Sequence, residues 1–303
     1  MSLAGSNDTE KLIDLASKPY KQQAVWFLNA YWKQFAEQEA ERLWKFTHDH
    51  AELDQAKKGE GCALDEFQAH RFLEINQETL TVTQMRDKLR EVGVEKVRLV
   101  PFIHFLIFRY KVDWHELVNA AQGDNQEEVK KAQQMLVEVQ AAFEEVRRTA
   151  EEAAAREVEA KAAQKELEAA LAELKAQEDA YNRKTEELKR ASEEGGLVSR
   201  NKAKNELAQH LGEDPLPLRR AKITTEAAVK KAEKAANAAE EARVAAEAAL
   251  QEAERRVAEA QAYLDEVKSK PGSAQGALWW LDRELHEARA YLPTSKGGYK
   301  KQK

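Results

Sequence analysis

The cations between Val198 and Lys234 are the residues of this sequence with the clearest chemical potential. Nine lysines and arginines stand against five carboxylates there, an excess of +4 in a chain of net charge -6. The cations are Arg200, Lys202, Lys204, Arg219, Arg220, Lys222, Lys230, Lys231 and Lys234. Concentrated positive charge attracts and orients an acidic polymer. We therefore predict a binding site for such a polymer, with ordinary solvated side chains as the alternative interpretation.

A second candidate is a calcium loop between His48 and Glu74, where the residue order resembles an EF-hand. A predicted helix is followed by a glycine-containing loop and a second helix. An EF-hand loop needs side-chain oxygens at positions 1, 3 and 5 and a glutamate at position 12. With Glu66 at position 12, Lys57 and Gly59 fall at positions 3 and 5, and neither offers a carboxylate.

The other candidate metal ligands do not improve this loop. Asp54 falls one residue too early for a twelve-residue loop, and a second candidate loop, 91–102, ends on Phe102 where a glutamate is needed. Asp54, Asp65 and Glu66 are therefore only weak metal candidates. We expect no cofactor, with calcium possible but its ligand set degenerate.

Catalytic chemistry finds no support in the remaining reactive residues. His48 and His50 are the only close pair among seven histidines, and residues two apart on a helix do not face each other. Cys62 is the only cysteine, which excludes a disulfide framework and a thiolate zinc site and suits a reducing compartment. No phosphate-binding glycine loop or nucleophile elbow is present. We predict that the protein is not an enzyme.

The element that must position the cations is a long helix from about Asp124 to Glu194. One apolar row recurs every seven residues, at Ala132, Val139, Val146, Ala153, Ala160, Leu167, Leu174, Tyr181 and Leu188. A second row lies three residues earlier, at Val129, Leu136, Phe143 and Ala150, and becomes polar at Glu157 and Gln164. Such rows define the buried stripe of a coiled coil, so this helix needs a partner.

The partner is predicted within the same chain, between Thr225 and Lys268. One row there reads Val229, Ala236, Leu250, Val257 and Leu264 and is broken by Arg243, while the other reads Ala232, Ala239, Ala246, Ala253, Ala260 and Val267. Alanine lets helix backbones approach closely, which favours an intramolecular antiparallel pair. Pro215 and Pro217 separate this helix from a shorter one over Asn201–Leu211.

We predict that the first third of the chain forms a compact helical domain rich in aromatic residues. We predict one amphipathic helix from Lys21 to about His48, a second helix carrying Leu64 and Phe72, and a third from Thr83 to Val92. A final tryptophan-bearing helix, Ala274–Tyr291, would cover the long helix or dock on this domain. The predicted organisation is a flexible leader 1–17, an EF-hand-like helical domain 18–121, an elongated antiparallel coiled-coil bundle 122–293 and a basic tail 294–303. The fold class is all-α.

Composition limits the functions that remain. Charged residues make up 34% of the chain and the mean hydropathy is -0.73, which is typical of long helices with solvated faces. The negative net charge argues against nucleic acid and anionic membranes as partners. No apolar stretch approaches the length of a membrane span or a secretion signal, so we expect a cytoplasmic protein.

Three stretches of the chain resemble one known family. They are YKQQAVWFLNAYW at 20–32, GCALDEFQAHRFL at 61–73, and WWLDRELHEA at 279–288 followed by YLP at 291–293. Together they resemble the small calcium-regulated actin-bundling proteins of protists, which combine EF-hand-like helices with a coiled-coil half and have a mass similar to the 34.4 kDa of this chain. The resemblance implies binding along actin filaments and crosslinking into bundles. This sequence departs from that family at calcium control, because its loops lack ligands.

These observations lead to one functional prediction with two alternatives. We predict a cytoskeletal protein that binds actin filaments through the nine cations and crosslinks them. The sequence does not determine the oligomeric state, and a monomer is favoured. The alternatives are a helical scaffold at a membrane surface and a spacer between partners that carries a degenerate EF-hand module.

Overall fold

In the computed structural model of this chain, the described residues are 2–76, 83–84, 87, 90, 99–296 and 298–299. They divide into two compact units. Unit 1 comprises Met1–Ala141 and Glu254–Lys303, and unit 2 comprises Ala142–Ala253. The sequence predicts two consecutive domains, 18–121 and 122–293, whereas unit 1 combines two segments that are distant in the chain. These predicted limits stay a prediction. The predicted helix Thr83–Val92 lies largely outside the described residues.

Helices account for nearly all the secondary structure of the described residues. They are α1 Asp8–Ala16, α2 Tyr20–Tyr31, α3 Glu37–Leu53, α4 Glu66–Ile75, α5 Phe102–Tyr110, α6 Trp114–Asn119, α7 Gln126–Glu193, α8 Leu197–Gly212, α9 Leu216–Lys268 and α10 Gln275–Arg289. The strands β1 Ala63–Asp65 and β2 Leu99–Pro101 pair antiparallel with Leu64 opposite Val100. No described helix combines the length and the apolar character that crossing a membrane would require. The observed class is all-α, as predicted.

The N-terminal aromatic segment forms two helices where the sequence predicts one from Lys21 to His48. A π-helical turn at Trp32–Ala36 ends α2, and α3 returns alongside it. The Tyr20 hydroxyl at the start of α2 donates to the Asp54 carboxylate just after α3, at 3.0 Å. The single-helix prediction is wrong because apolar side chains on both halves can be buried only by folding the halves together. No glycine or proline marks the turn.

The N-terminal leader also differs from its prediction. Instead of a loose segment, residues 8–16 form α1, whose N-cap is the Asn7 side chain accepting from the backbone of Glu10. Leu12 and Leu15, three residues apart, are buried. This spacing gives α1 an apolar face that packs into unit 1.

Helix α10 docks on the N-terminal helices of unit 1, which is one of the two positions predicted for it. A Cβ added to Gly276 would lie 2.6 Å from the Cβ of Leu28 on α2, so glycine permits this close approach. The backbone N–H of Ala277 donates to the Asn29 side chain at 2.9 Å. Trp280 is buried, with its ring 4.8 Å from that of Trp44 on α3.

The two long helices are antiparallel in both units, and each unit has its own contacts. In unit 1, the Lys131 ammonium lies 4.5 Å from the centre of the Tyr263 ring. In unit 2, the Thr225 hydroxyl of α9 lies 3.1 Å from the Ala170 carbonyl oxygen of α7. The predicted intramolecular pairing of 129–188 with 229–267 agrees with these contacts.

The second apolar row of α7 shifts by one residue from its predicted positions. Ala150, Glu157 and Gln164 are exposed, and the residues that face the partner are Thr149, Arg156, Ala163 and Ala170. The shift occurs in the two successive three-residue steps that connect Phe143, Val146 and Thr149. Two successive three-residue steps shorten the local repeat below the 3.5 residues per turn of a heptad pattern, and such a three-residue insertion locally overwinds a coiled coil. The Thr149 hydroxyl is satisfied by the Glu145 carbonyl at 2.9 Å.

The first row of α9 shifts in the same way. Ala236 and Arg243 are exposed, and Ala235 and Ala242 take the inward positions. The predicted interruption at Arg243 therefore does not exist, because this arginine points outward and forms ion pairs with Glu240 and Glu247. The alanine row from Ala232 to Ala260 faces inward as predicted.

Candidate functional site

All nine predicted site cations lie in unit 2, on two consecutive helices. Arg200, Lys202 and Lys204 belong to α8, and the other six belong to the N-terminal half of α9. Eight of the nine are exposed, and Arg200 is half-buried. The structure therefore leaves most of the predicted site open to solvent.

Helix α8 is held against the end of α7 by a small polar cluster. Gly195, with φ of +99°, turns the chain after α7. The His210 ring then stacks on Tyr181 at 4.4 Å, and its Nε2 lies 3.0 Å from the Thr185 hydroxyl oxygen. Ala203 is buried on the same side. His210 was not singled out in the sequence, although its spacing from Ala203 fits the packed row of a helix.

The cations of α9 concentrate on the side opposite its packed row. Ala221 and Thr225 are buried against α7 in unit 2. Successive residues of an α-helix are rotated by about 100° around its axis. Between positions 216 and 234, the roughly 120° of the helix surface that lies opposite Ala221 and Thr225 carries five cations and no carboxylate. These are Arg219, Arg220, Lys230, Lys231 and Lys234, and we call them the basic face. Lys222, Glu226 and Glu233 lie on its flank.

The cations are available to a partner because their internal ion pairs are exposed. Arg219 contacts Asp214 at 3.2 Å and Lys231 contacts Glu166 at 2.5 Å, with more than half of each side chain open to solvent. Exposed pairs of this kind contribute about 0–1 kcal/mol, so a partner's carboxylates can replace them at little cost. Within the described part of the chain, Arg220 and Lys230 have no ion pair.

The sequence reasoning missed a set of exposed apolar side chains in the same segment. Five large hydrophobic residues between positions 197 and 223 are more than half exposed: Leu197, Val198, Leu211, Leu216 and Ile223. They lie off the packed rows of α8 and α9, and the sequence did not identify them because the apolar rows predicted for the second long helix begin only at Val229. Beside Leu216, an open groove of about 390 Å³ is lined by Pro217 and Arg220 of α9 and by Glu173 of α7.

Two of the three weak metal candidates, Asp54 and Asp65, have structural roles in unit 1. The buried Asp54 carboxylate accepts hydrogen bonds from the Tyr20 hydroxyl and from the Lys57 backbone, both at 3.0 Å. Burial, with this carboxylate as neighbour, raises the pKa of Tyr20. Asp65 caps α4 by accepting from the Gln68 backbone at 2.7 Å. Among the described residues, no group of three or more histidine, cysteine, aspartate or glutamate side chains is placed to hold a metal ion.

Two histidines of unit 1 are buried without a charged partner in hydrogen-bonding contact. His50 lies between the rings of Phe72 and Phe102, at 4.0 and 4.4 Å, and its Nδ1 bonds to the Phe46 carbonyl. Burial lowers the pKa of His50 to about 4. Burial likewise lowers the pKa of His104 to about 4, and its Nδ1 has no hydrogen-bond partner. Both side chains are neutral near pH 7 and belong to the core.

The segment that carries the nine cations matches a known protein family. Residues 115–263, just under half of the chain, match the family described as "F actin bundling C terminal". No curated protein sequence matches the chain. The crystal structure of the 34 kDa F-actin bundling protein from Dictyostelium discoideum is similar, with 20% identity, a TM-score of 0.49, and coverage of 96% of this chain and 99% of that chain.

The family match includes α7 and α8 entirely, α9 as far as Tyr263, and all nine cations. It agrees with the actin-filament binding and bundling that the sequence predicts. Over residues 115–263, this chain therefore matches the C-terminal region of the F-actin bundling proteins.

Proposed function

We propose that this protein binds actin filaments and crosslinks them into bundles as a cytoskeletal component of the cytoplasm, without catalysing a reaction. The match of residues 115–263 to the F-actin bundling family carries this proposal. The nine cations lie inside that segment and support the choice of contact surface. We further propose that the protein acts as a monomer, so that a single chain must present two filament-binding surfaces.

The basic face of α9 is the proposed principal surface. Actin filaments are acidic, so the cations attract the filament and orient the helix on it. Each exposed charge pair contributes about 1 kcal/mol or less, and several must act together. Screening shortens the reach of these charges to about 8 Å at physiological ionic strength, so this part of the binding weakens as salt rises.

The test is co-sedimentation with actin filaments, at high speed for binding and at low speed for bundling. Changing Arg219, Arg220, Lys222, Lys230 and Lys231 to glutamate should weaken binding about 100-fold or more at about 0.1 M salt. A control variant changes Lys165, Lys175, Arg183, Lys184 and Lys189 of α7 to glutamate. Its net charge is identical, and it should bind much more tightly than the first variant.

The outcomes separate function from site. If the wild-type protein does not pellet with filaments at low salt, the actin assignment is wrong. If it pellets and the two charge variants bind equally, actin binding stands and the basic face is not its site. Flotation with anionic vesicles tests the membrane-scaffold alternative, which the net charge of -6 opposes.

We also propose that the EF-hand-like segment of unit 1 is structural and does not bind calcium tightly. The use of Asp54 and Asp65 as internal hydrogen-bond acceptors supports this proposal. Isothermal titration calorimetry with calcium should give no micromolar site. A micromolar site that Glu66→Gln abolishes would contradict the proposal and restore calcium control.

A further inference from the structure

The exposed apolar side chains of the described residues are concentrated beside the basic face. Fourteen large hydrophobic side chains are strongly exposed, and five of them fall within the 27 positions from Leu197 to Ile223. Single exposed hydrophobic residues are normal on protein surfaces, whereas neighbouring ones mark interaction sites. The packing of unit 2 does not require these side chains, because the packed rows of α8 and α9 face α7.

Leu216 and Ile223 share the outward side of α9 with two cations of the basic face. They are 58% and 59% exposed. With Arg219 and Arg220 they occupy positions i, i+3, i+4 and i+7, which lie along one stripe of a helix. The buried Ala221 and Thr225 lie on the other side of the helix. The stripe therefore presents an apolar residue, two guanidinium groups and a second apolar residue to the solvent.

A purely electrostatic contact would need only the cations of this stripe. Interfaces typically place apolar side chains in the desolvated centre and charged groups around them. The groove of about 390 Å³ beside Leu216, with Arg220 in its wall, offers a concave site for a side chain of the partner. An acidic surface with apolar depressions is complementary to this arrangement in both charge and shape.

We propose that Leu216 and Ile223 are the apolar anchors of the filament contact and that they enter apolar depressions of the acidic actin surface while Arg219 and Arg220 pair with its carboxylates. This inference rests on the proposed function. It specifies which residues supply the part of the binding free energy that does not depend on salt. Salt screens the charge pairs but does not weaken the burial of apolar area. The two contributions are therefore separable by ionic strength.

The experiment measures filament co-sedimentation of the full-length variant L216Q/I223Q at about 0.05 M and about 0.3 M potassium chloride, on either side of the physiological value. In the wild type, the exposed parts of one leucine and one isoleucine become buried on binding, and the variant loses this contribution. We expect the variant to bind filaments about 30-fold more weakly than the wild type, by a similar factor at both salt concentrations. The charge variant R219E/R220E should instead have a defect that shrinks as salt rises.

Matched variants control for surface change and for folding. V158Q/V244Q removes two exposed valines of unit 2, 67% and 52% exposed, that lie outside the segment 197–223. It should bind within about twofold of the wild type, a factor worth less than 1 kcal/mol. L216M/I223M keeps the apolar surface and should also retain wild-type binding. All variants should keep the helicity and melting temperature of the wild type, because the replaced side chains are exposed.

The proposal and its premise fail in different ways. If the wild type pellets and L216Q/I223Q binds as tightly as V158Q/V244Q at both salt concentrations, the anchor assignment is wrong while actin binding stands. A defect of L216Q/I223Q that disappears at the higher salt would also overturn it. If the wild type does not pellet at all, both the proposed function and this inference are wrong.

Discussion

The two units of this chain are built from the same kind of element, the helix, but they are stabilised differently. Unit 1 buries large aromatic side chains, including Phe27, Phe72 and Trp280. The described core of unit 2 consists mainly of small residues such as Ala163, Ala170 and Ala221. Because stabilisation scales with the apolar area removed from water, each core position of unit 1 contributes more than its counterpart in unit 2.

This difference explains where the candidate site lies. A thin alanine seam occupies one side of each helix in unit 2, so the remaining faces are free to carry the basic face and the exposed apolar residues. The helices there depend more on intrinsic propensity and on i,i+4 ion pairs. The six tryptophans all lie in unit 1, at positions 26, 32, 44, 114, 279 and 280. Tryptophan fluorescence therefore reports unit 1 alone.

The largest expected difference between the units is their response to acid. The folded-state pKa values of His50 and His104, about 4, lie below the ordinary value of 6.5. The unfolded chain therefore binds these protons first, and stability falls as pH drops from 6.5 toward 4. Each histidine contributes about 3 kcal/mol to this loss. Urea unfolding followed by tryptophan fluorescence should give a much lower free energy of unfolding at pH 4.5 than at pH 7.

The variant H50L/H104L controls this prediction, because leucine does not titrate. Its unfolding free energy should fall less between pH 7 and pH 4.5 than that of the wild type. An equally steep fall in both proteins would mean that other groups cause the acid sensitivity of unit 1.

A smaller effect is expected from shortening one aromatic side chain of unit 1. Trp280→Ala leaves a cavity between α10 and the N-terminal helices and should cost about 3–5 kcal/mol. When urea unfolding is monitored by the fluorescence of the five remaining tryptophans, its midpoint should lie at a lower urea concentration than in the wild type. Trp279→Ala is the comparison, since Trp279 is only partly buried and should cost less. An equal cost would mean that α10 docks on α2 and α3 differently.

The smallest of these effects is expected in the seam of unit 2. Leu174→Asp places a charge on the packed row of α7, but Leu174 is only half-buried, so the carboxylate keeps part of its water. We expect a cost of about 1–2 kcal/mol, within the range of common single substitutions. Thermal unfolding followed by circular dichroism at 222 nm measures it, with the exposed neighbour Lys175→Asp as control. A loss as large as that of Trp280→Ala would contradict the contrast between the units.

The structure also changes how a second filament surface should be sought. Deleting residues 1–123 would remove α2 and α3, on which α10 packs, and would expose the buried Trp280 and Leu281. If a fragment 124–303 failed to bundle filaments, the loss of a filament-binding surface could not be distinguished from a loss of folding. Surface substitutions in the full chain avoid this problem.

The candidate site was predictable from the sequence in part. Composition alone identifies the nine cations as a local excess of positive charge. Periodicity then places five of them opposite the packed row of α9, once the position of that row is known. The outward placement of Leu216 and Ile223 was not predictable, because an apolar residue in a helix is expected to face the core.

The sequence by itself determined the helical class, the extent of α7 from about 124 to 194, and its main apolar row, because these depend on propensity and on spacing along one helix. The tertiary structure decided the turn at Trp32–Ala36, the one-residue shifts at Thr149 and Ala242, and the docking of α10 on α2. These features depend on which side chains meet across elements far apart in the chain. For these three features, local periodicity does not specify which side chains meet, so only packing of the folded chain determines them.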